Sequence, residues 1–242
     1  RCFIPPSDWS RNDVTLDEHE SHHLLHVLRV KPGDKVEVFN GEGGTGIAAV
    51  ESAVRGAVMV RFLERVERKR PAVRFALIQA VPREQKMDLI IQKATELGAA
   101  VILPVTTEHA VVHVKADRRE GKRERWEKIA LNAAKQCGTA WLPRIAPAQT
   151  LSAFLAGERR IDALLVCALD EKTVPIRDAI QSIKARSISS VGVLVGPEGD
   201  FSAAEMEAIR AAGAISVSLG DSVLRTETAA IYALGVLRYE FL

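Results

Sequence analysis

At 242 residues the chain can hold one large domain or two small ones, and its 47% hydrophobic and 26% charged content excludes a disordered or fibrous chain. A formal net charge of +2 is too slight to hold nucleic acid by charge alone, so any RNA contact has to be local. Cys2, Cys137 and Cys167 lack a paired metal spacing, residues 1–6 lack a basic-then-apolar signal and no apolar run could cross a bilayer, so a cytosolic protein with reduced thiols and no membrane partner is expected.

Along the chain, Thr15-Leu-Asp-Glu18 fits a capping box, and an apolar helical face continues through Leu24, Val27 and Leu28. Residues 34–39 and 46–67 alternate apolar and polar positions with glycines between, which predicts short antiparallel strands. The charged stretch Arg65-Val-Glu-Arg-Lys-Arg-Pro71 is the clearest seam. It predicts two domains: a β-rich one over 1–70, forming a small barrel, and a second over 71–242.

After the seam, strands and helices alternate. Strands are predicted over 73–81, 101–105 and 162–168, helices over 85–97 and 118–136, and a short helix capped by Thr150. The last quarter holds two glycine-bearing loops, each between a strand-like run and a helix. One is Gly196-Pro-Glu-Gly199 after 191–195; the other is Gly220-Asp-Ser-Val-Leu-Arg225 after 214–219. A final helix is predicted over 227–239. Such alternation implies a mostly parallel sheet covered on both faces, and periodicity alone predicts it unknotted. Two such loops at carboxyl ends of strands point to one shared pocket.

Two motifs compete for attention. Gly41-Glu-Gly-Gly-Thr-Gly46 has dinucleotide-binding spacing, but a β-branched run follows it instead of the required helix, so a hairpin is expected. His19-Glu20-Ser-His-His23 matches a zinc-hydrolase helix, yet no third ligand pattern follows, and surface histidines or RNA-facing ones fit better. No metal is expected.

Gly196-Pro-Glu-Gly-Asp-Phe-Ser-Ala-Ala-Glu205 with Leu219-Gly-Asp-Ser-Val-Leu-Arg-Thr-Glu-Thr-Ala229 resembles the paired signature of the RsmE family, the 16S ribosomal RNA uridine-N3 methyltransferases of the SPOUT class. His23-Leu-Leu-His-Val-Leu-Arg29, Lys86-Met87 with Gln92-Lys93 and Glu96-Leu-Gly98, and Gln136-Cys-Gly138 resemble its other motifs in order. The resemblance implies a C-terminal α/β SPOUT domain tied in a trefoil knot, and a smaller N-terminal PUA-like β-barrel that helps hold RNA. It also implies S-adenosyl-L-methionine as cofactor, 16S rRNA of the small ribosomal subunit as partner, and a homodimer. Asp200 departs from the family pattern, where a further glycine is usual. So do His26, Lys135 and Thr139, in segments whose changes bear on RNA rather than on chemistry.

With that resemblance, the cofactor-binding candidates are Leu169, Val195, Gly196, Gly199, Leu219, Gly220, Ser222, Val223 and Leu224. They supply apolar walls and approachable backbone. Methyl transfer to uridine N3 requires loss of the imide proton and stabilisation of the resulting charge. Arg225 is the candidate cation; its alternative role is to brace Glu198 or Glu227. Glu198 is the second catalytic candidate, able to accept a proton or orient substrate. Glu227 suits a helix N-terminus. Arg1, Arg11, His26, Arg29 and Lys31 are the RNA-binding candidates. A non-catalytic ribosome-assembly protein of the same fold is the rival reading.

Overall fold

A computed structural model describes residues 1–54, 56–109, 119–157, 161–170 and 172–241. The chain divides into two compact units, Arg1–Arg70 with Ala134–Leu142, and Pro71–Ala133 with Pro143–Leu242.

The first unit is built on strands β1 (Cys2–Phe3), β2 (Asp13–Thr15), β3 (Lys35–Phe39), β4 (Gly44–Val54) and β5 (Ala57–Glu67), paired in the order β1-β3-β4-β5-β2. The alternating sequence turns Val36, Val38, Ala48, Val50, Val58 and Val60 inward onto Ile4, Trp9, Leu16 and Leu24. Residues 40–43 connect β3 to β4 in the expected hairpin, with Phe39 opposite Thr45. Helix α1 (Glu18–His22) starts two residues later than the predicted capping box would place it. Asp17, not Thr15, is the cap, accepting from the Glu20 amide at 2.7 Å, while Thr15 ends β2 opposite Met59. The helix continues as a π-turn over His23–Leu28. That wider turn breaks the 3.6-residue face: Leu24 is buried, whereas Val27 and Leu28 are exposed.

The second unit holds an eight-stranded sheet. Its path is β11 (Val174–Pro175), β13 (Ile215–Ser218), β10 (Ala163–Cys167), β12 (Ser190–Val195), β6 (Arg74–Ala80), β7 (Ala99–Thr106) and β8 (Arg144–Ile145), with β9 (Gln149–Thr150) also against β7. Every described pairing is parallel. Both faces are covered, which is why these strands read as nearly continuous apolar runs. Phe75, Leu77, Val191, Val193 and Leu165 face one core, closed by α2 (Glu84–Glu96), α3 (Arg119–Cys137), α5 (Ile176–Lys184) and α7 (Thr226–Phe241). Ile78, Leu164, Val166 and Leu194 face the other, closed by α4 (Leu151–Ala156) and α6 (Ala203–Ala211). Thr150 caps α4, and Ser202 with Glu205 forms a capping box on α6, both as expected. Arg118, the predicted start of the long helix, lies outside the described residues.

Candidate active site

Parallel register brings three strand ends to one edge of the sheet. Cys167 at the end of β10 is opposite Val195 of β12 on one side and Val217 of β13 on the other. The three loops that follow, 168–170, 196–202 and 219–225, therefore converge, as open α/β sheets arrange their ligand loops. Between them lies a cavity of about 260 Å³.

Of the cofactor-binding candidates, Leu169, Val195, Gly196, Leu219, Gly220, Ser222, Val223 and Leu224 line this cavity, joined by Cys167, Val217 and Ala229. Gly199 does not line it. Its carbonyl lies 3.1 Å from His109 Nδ1, and a side chain there would press on His109 at 3.2 Å. Gly196 and Gly220 do different work. An added Cβ at Gly196 would meet the Phe201 ring at 3.1 Å and Asp200 Oδ1 at 3.2 Å, so that position needs the space. At Gly220 the surroundings are open, but φ is +122°, which glycine alone adopts easily. Asp200, the departure in the signature, has φ +58° in the left-handed region that suits the usual glycine. Its Oδ1 accepts from the Phe201 amide at 2.8 Å, the local bond that makes aspartate tolerable there.

The catalytic candidates, Arg225 and Glu198, both line the cavity, and they are not paired with each other. The bracing cation is Lys86 of α2: its Nζ lies 2.8 Å from Glu198 Oε1 and 3.5 Å from Glu227 Oε2. The alternative of Arg225 as the brace is thereby corrected. Arg225 is exposed, and its guanidinium meets no partner among the described residues. Partial burial, the largest single influence, pushes the Glu198 carboxyl up, but the hydrogen bond and charge of Lys86, a backbone hydrogen bond and the charge of Arg83 together outweigh it and hold Glu198 below the ordinary carboxylate value. Burial pushes the Cys167 thiol up to about 12, which makes it a neutral wall and no nucleophile.

Thr226, the first residue of α7, links the loops. Its Oγ1 donates to the Gly196 carbonyl at 2.6 Å and accepts from Gln79 Nε2 at 2.9 Å. Gln79 is fully buried on β6 and also donates to the Ala80 carbonyl at 3.0 Å. A glutamine inside a strand apolar on both faces was the available signal, because a buried amide needs partners.

The RNA-binding candidates lie on the first unit without forming one cluster. Arg1 Nη1 donates to the Ala134 carbonyl at 3.2 Å, and its guanidinium lies 4.3 Å from the Phe39 ring centroid. Arg11 pairs with Asp8 at 3.0 Å. His26 stacks on His22, centroids 4.4 Å apart, and Arg29 closes the π-turn in the left-handed conformation. Lys31 is exposed, its amide donating to Asp34 Oδ2 at 2.7 Å. Glu20, the carboxylate of the zinc-like motif, is buried and ion-paired with Lys135, so it is not free to act on a water. No cluster of metal ligands occurs among the described residues.

A parallel sheet with three loops converging at its carboxyl edge defines an α/β domain with one ligand site. Residues 68–238 match the RNA methyltransferase domain family, and residues 16–63 match the RNA methyltransferase PUA domain. Relatives named ribosomal RNA small subunit methyltransferase E include one from Bacillus subtilis, 30% identical over 93% of this chain and 90% of its own. One from Mycobacterium tuberculosis is 32% identical over 93% and 85%. The chain belongs to the ribosomal RNA small subunit methyltransferase E family. Among solved structures, the methyltransferase E from Neisseria gonorrhoeae bound to S-adenosyl methionine is similar with TM-score 0.87 and 25% identity, over 98% of this chain and 95% of that one. A Legionella pneumophila protein solved with bound cofactor SAM has TM-score 0.87 and 30% identity over 98% and 96%.

Proposed function

We propose that the chain transfers a methyl group from S-adenosyl-L-methionine to N3 of a uridine in 16S rRNA of the small ribosomal subunit. The observation that carries this reading is the cavity at the ends of β10, β12 and β13, walled by both signature loops, with Arg225 at its edge unpaired among the described residues. The residues present fit the cofactor: Val195, Leu219, Leu224 and Ala229 offer apolar surface for an adenine. Gly196, Leu219, Gly220, Ser222 and Val223 bring backbone to the edge of the cavity. Leu169, Val195, Gly196, Leu219, Gly220, Ser222, Val223 and Leu224 would hold it. Gly199 would act one step removed, through its contact with His109.

When bound, S-adenosylmethionine supplies an electrophilic methyl carbon on its sulfonium. This chain's own residues must align the uridine and stabilise its N3 anion. Arg225, without a partner among the described residues, is placed to put a positive charge beside the pyrimidine as the proton leaves. Glu198, held ionised by Lys86, orients substrate rather than acting as a strong base.

The trefoil knot belongs to this reading. It is supported by α7, which packs on β6 and β12 after the chain has already travelled out to β13. A PUA-like barrel is proposed for the five-stranded first unit, supported by the PUA match. A homodimer and a cytoplasmic setting complete the proposal, and among the described residues no helix is long and apolar enough to cross a membrane. The test is incubation of small subunits lacking the modification with methyl-labelled cofactor, followed by nucleoside mass analysis. Label in 3-methyluridine is expected; label in another nucleoside, or none, overturns the proposal.

A further inference from the structure

The first unit has a second cavity, of about 440 Å³, which the signature loops do not touch. Its floor is the β3-β4-β5 sheet and its wall is the segment that ends in Trp141. We infer that this cavity receives one unpaired nucleotide of the RNA, its base stacked on Trp141 and Arg68 holding its phosphate or a base oxygen. The inference rests on the reading of RNA as substrate and adds where an unpaired base is gripped.

Trp141 is fixed before any ligand arrives. Its backbone bridges to Glu42, its amide donates to Thr139 Oγ1 at 3.2 Å, and one edge of its ring lies against Gly43. A side chain at Gly43 would fall 2.5 Å from that ring, so the glycine is what lets the indole seat. The Arg70 guanidinium lies 5.2 Å from the ring centroid. A preorganised aromatic with part of its surface in a cavity loses little freedom when a base stacks on it.

The polar lining selects the ligand. Arg1, Glu37, Glu64 and Arg68 all line the cavity, and none of these side chains makes an ion pair among the described residues. An apolar ligand would strip water from these charges without replacing it. A bare phosphate would meet carboxylates as well as the guanidinium. A nucleotide satisfies all of them: its imino or amino N–H donates to a carboxylate, its phosphate or carbonyl oxygens accept from arginine, and its ring covers the indole. The β4–β5 register shifts between Ile47 and Ala48, where Glu64 turns toward the cavity, an irregularity typical of places where a sheet re-aims side chains. A concave site of this size does not admit a base pair, so the ligand is single-stranded.

The probes are a short single-stranded oligouridylate and a blunt RNA duplex of equal length. Of the three tryptophans, Trp9 and Trp126 are 8% and 4% exposed, so quenching by the single strand reports Trp141. The expected result is saturable quenching by the single strand and none by the duplex. Arg68→Ala and Trp141→Ala should each weaken binding about tenfold, the size of one lost stacking or charged contact. Trp141→Phe should keep most of the affinity and lose the quench. Since Trp141→Ala can disturb packing against Gly43, the exposed Arg68→Ala and the conservative Trp141→Phe decide the matter. Unchanged affinity in Arg68→Ala with unchanged quenching in Trp141→Phe overturns the site, as does equal competition by the duplex. If the wild type still methylates small subunits, only this site falls. If it binds no RNA and methylates none, the reading beneath it falls too.

Discussion

Lys86 Nζ on α2 lies 2.8 Å from Glu198 Oε1, in the loop after β12, and 3.5 Å from Glu227 Oε2 at the start of α7. One ammonium thus joins three segments that are far apart in sequence, and two of them bound the cavity. Thr226 adds a second tie between the same loop and α7 through the Gly196 carbonyl. Lys86 and Gln79, which do not line the cavity, hold its wall from behind.

Lys86→Met should therefore weaken S-adenosylmethionine binding several-fold and lower stability by about 1 kcal/mol, since the pair is partly exposed. The pH dependence has a definite sign. Glu198 is held below its ordinary value, so its contribution is present above about pH 4.5 and is lost as pH falls through the folded value. Lys86 is raised, chiefly by its hydrogen bond to Glu198, so its contribution is present below about pH 10.5 and is lost as pH rises through the folded value. Melting curves of wild type and variant should converge at both extremes and differ at neutrality. A constant difference across the range would remove the pair from this account.

Gly220→Ala should impair the cofactor loop through backbone strain rather than collision. The space around Gly220 is open, but at φ +122° a Cβ costs about 1–2 kcal/mol. Affinity for S-adenosylmethionine should fall about tenfold by calorimetry, with the first unit still folded. Unchanged affinity would mean the loop relaxes freely and that its observed shape is not the binding shape.

Much of the site was legible because its signal is local. Strand, glycine turn and helix follow one another within about a dozen residues, so both loops and their walls could be placed from spacing. The ties between them were not legible: Gln79 reaches Thr226 across 147 positions and Lys86 reaches Glu198 across 112. Helical periodicity also cannot say what covers an apolar face. Of the apolar residues of α7, Leu234 and Leu237 are buried in their own core, while Ile231, Val236 and Phe241 are half-buried. The large exposed side chains there are Tyr232 and Tyr239, at 47% and 83%.

The homodimer proposal is accordingly tested at those tyrosines. If α7 is the contact, Tyr232→Glu with Tyr239→Glu should shift the sedimentation mass from dimer to monomer at micromolar concentration, because a buried unpaired carboxylate opposes association. A wild-type monomer with full turnover would end the dimer proposal, and a dimeric double variant would move the contact off this face.

Glu20 is 1% exposed and ion-paired with Lys135. Lys135→Met strands that carboxylate inside the first unit and should cost about 3 kcal/mol. Glu20→Leu with Lys135→Met should recover most of it, since replacing both charges removes the desolvation cost as well as the attraction. Denaturant unfolding of the two variants distinguishes this from simple surface loss, in which the single change would not exceed about 0.5 kcal/mol.

Arg225→Ala tests the chemistry. Lys86 already holds Glu198 and Glu227, so removing Arg225 takes no ion pair from the fold, and the variant should melt close to the wild type. Cofactor affinity should stay within a few-fold, because the charge Arg225 faces arises on the uridine ring and not on the cofactor. An interaction made mainly in the transition state appears as lost turnover with little lost ground-state binding. Loss of one preorganised donor typically costs about a hundredfold in rate. Single-turnover methylation of unmodified small subunits, run beside cofactor titration and melting curves, measures all three quantities. Near-normal turnover would strike Arg225 from the catalytic residues. Parallel losses of stability and cofactor affinity would return it to a bracing role despite its lack of partners among the described residues. A hundredfold drop in turnover with binding and melting preserved assigns it to the developing anion, and raising the pH should then partly rescue the variant by favouring loss of the N3 proton from the substrate itself.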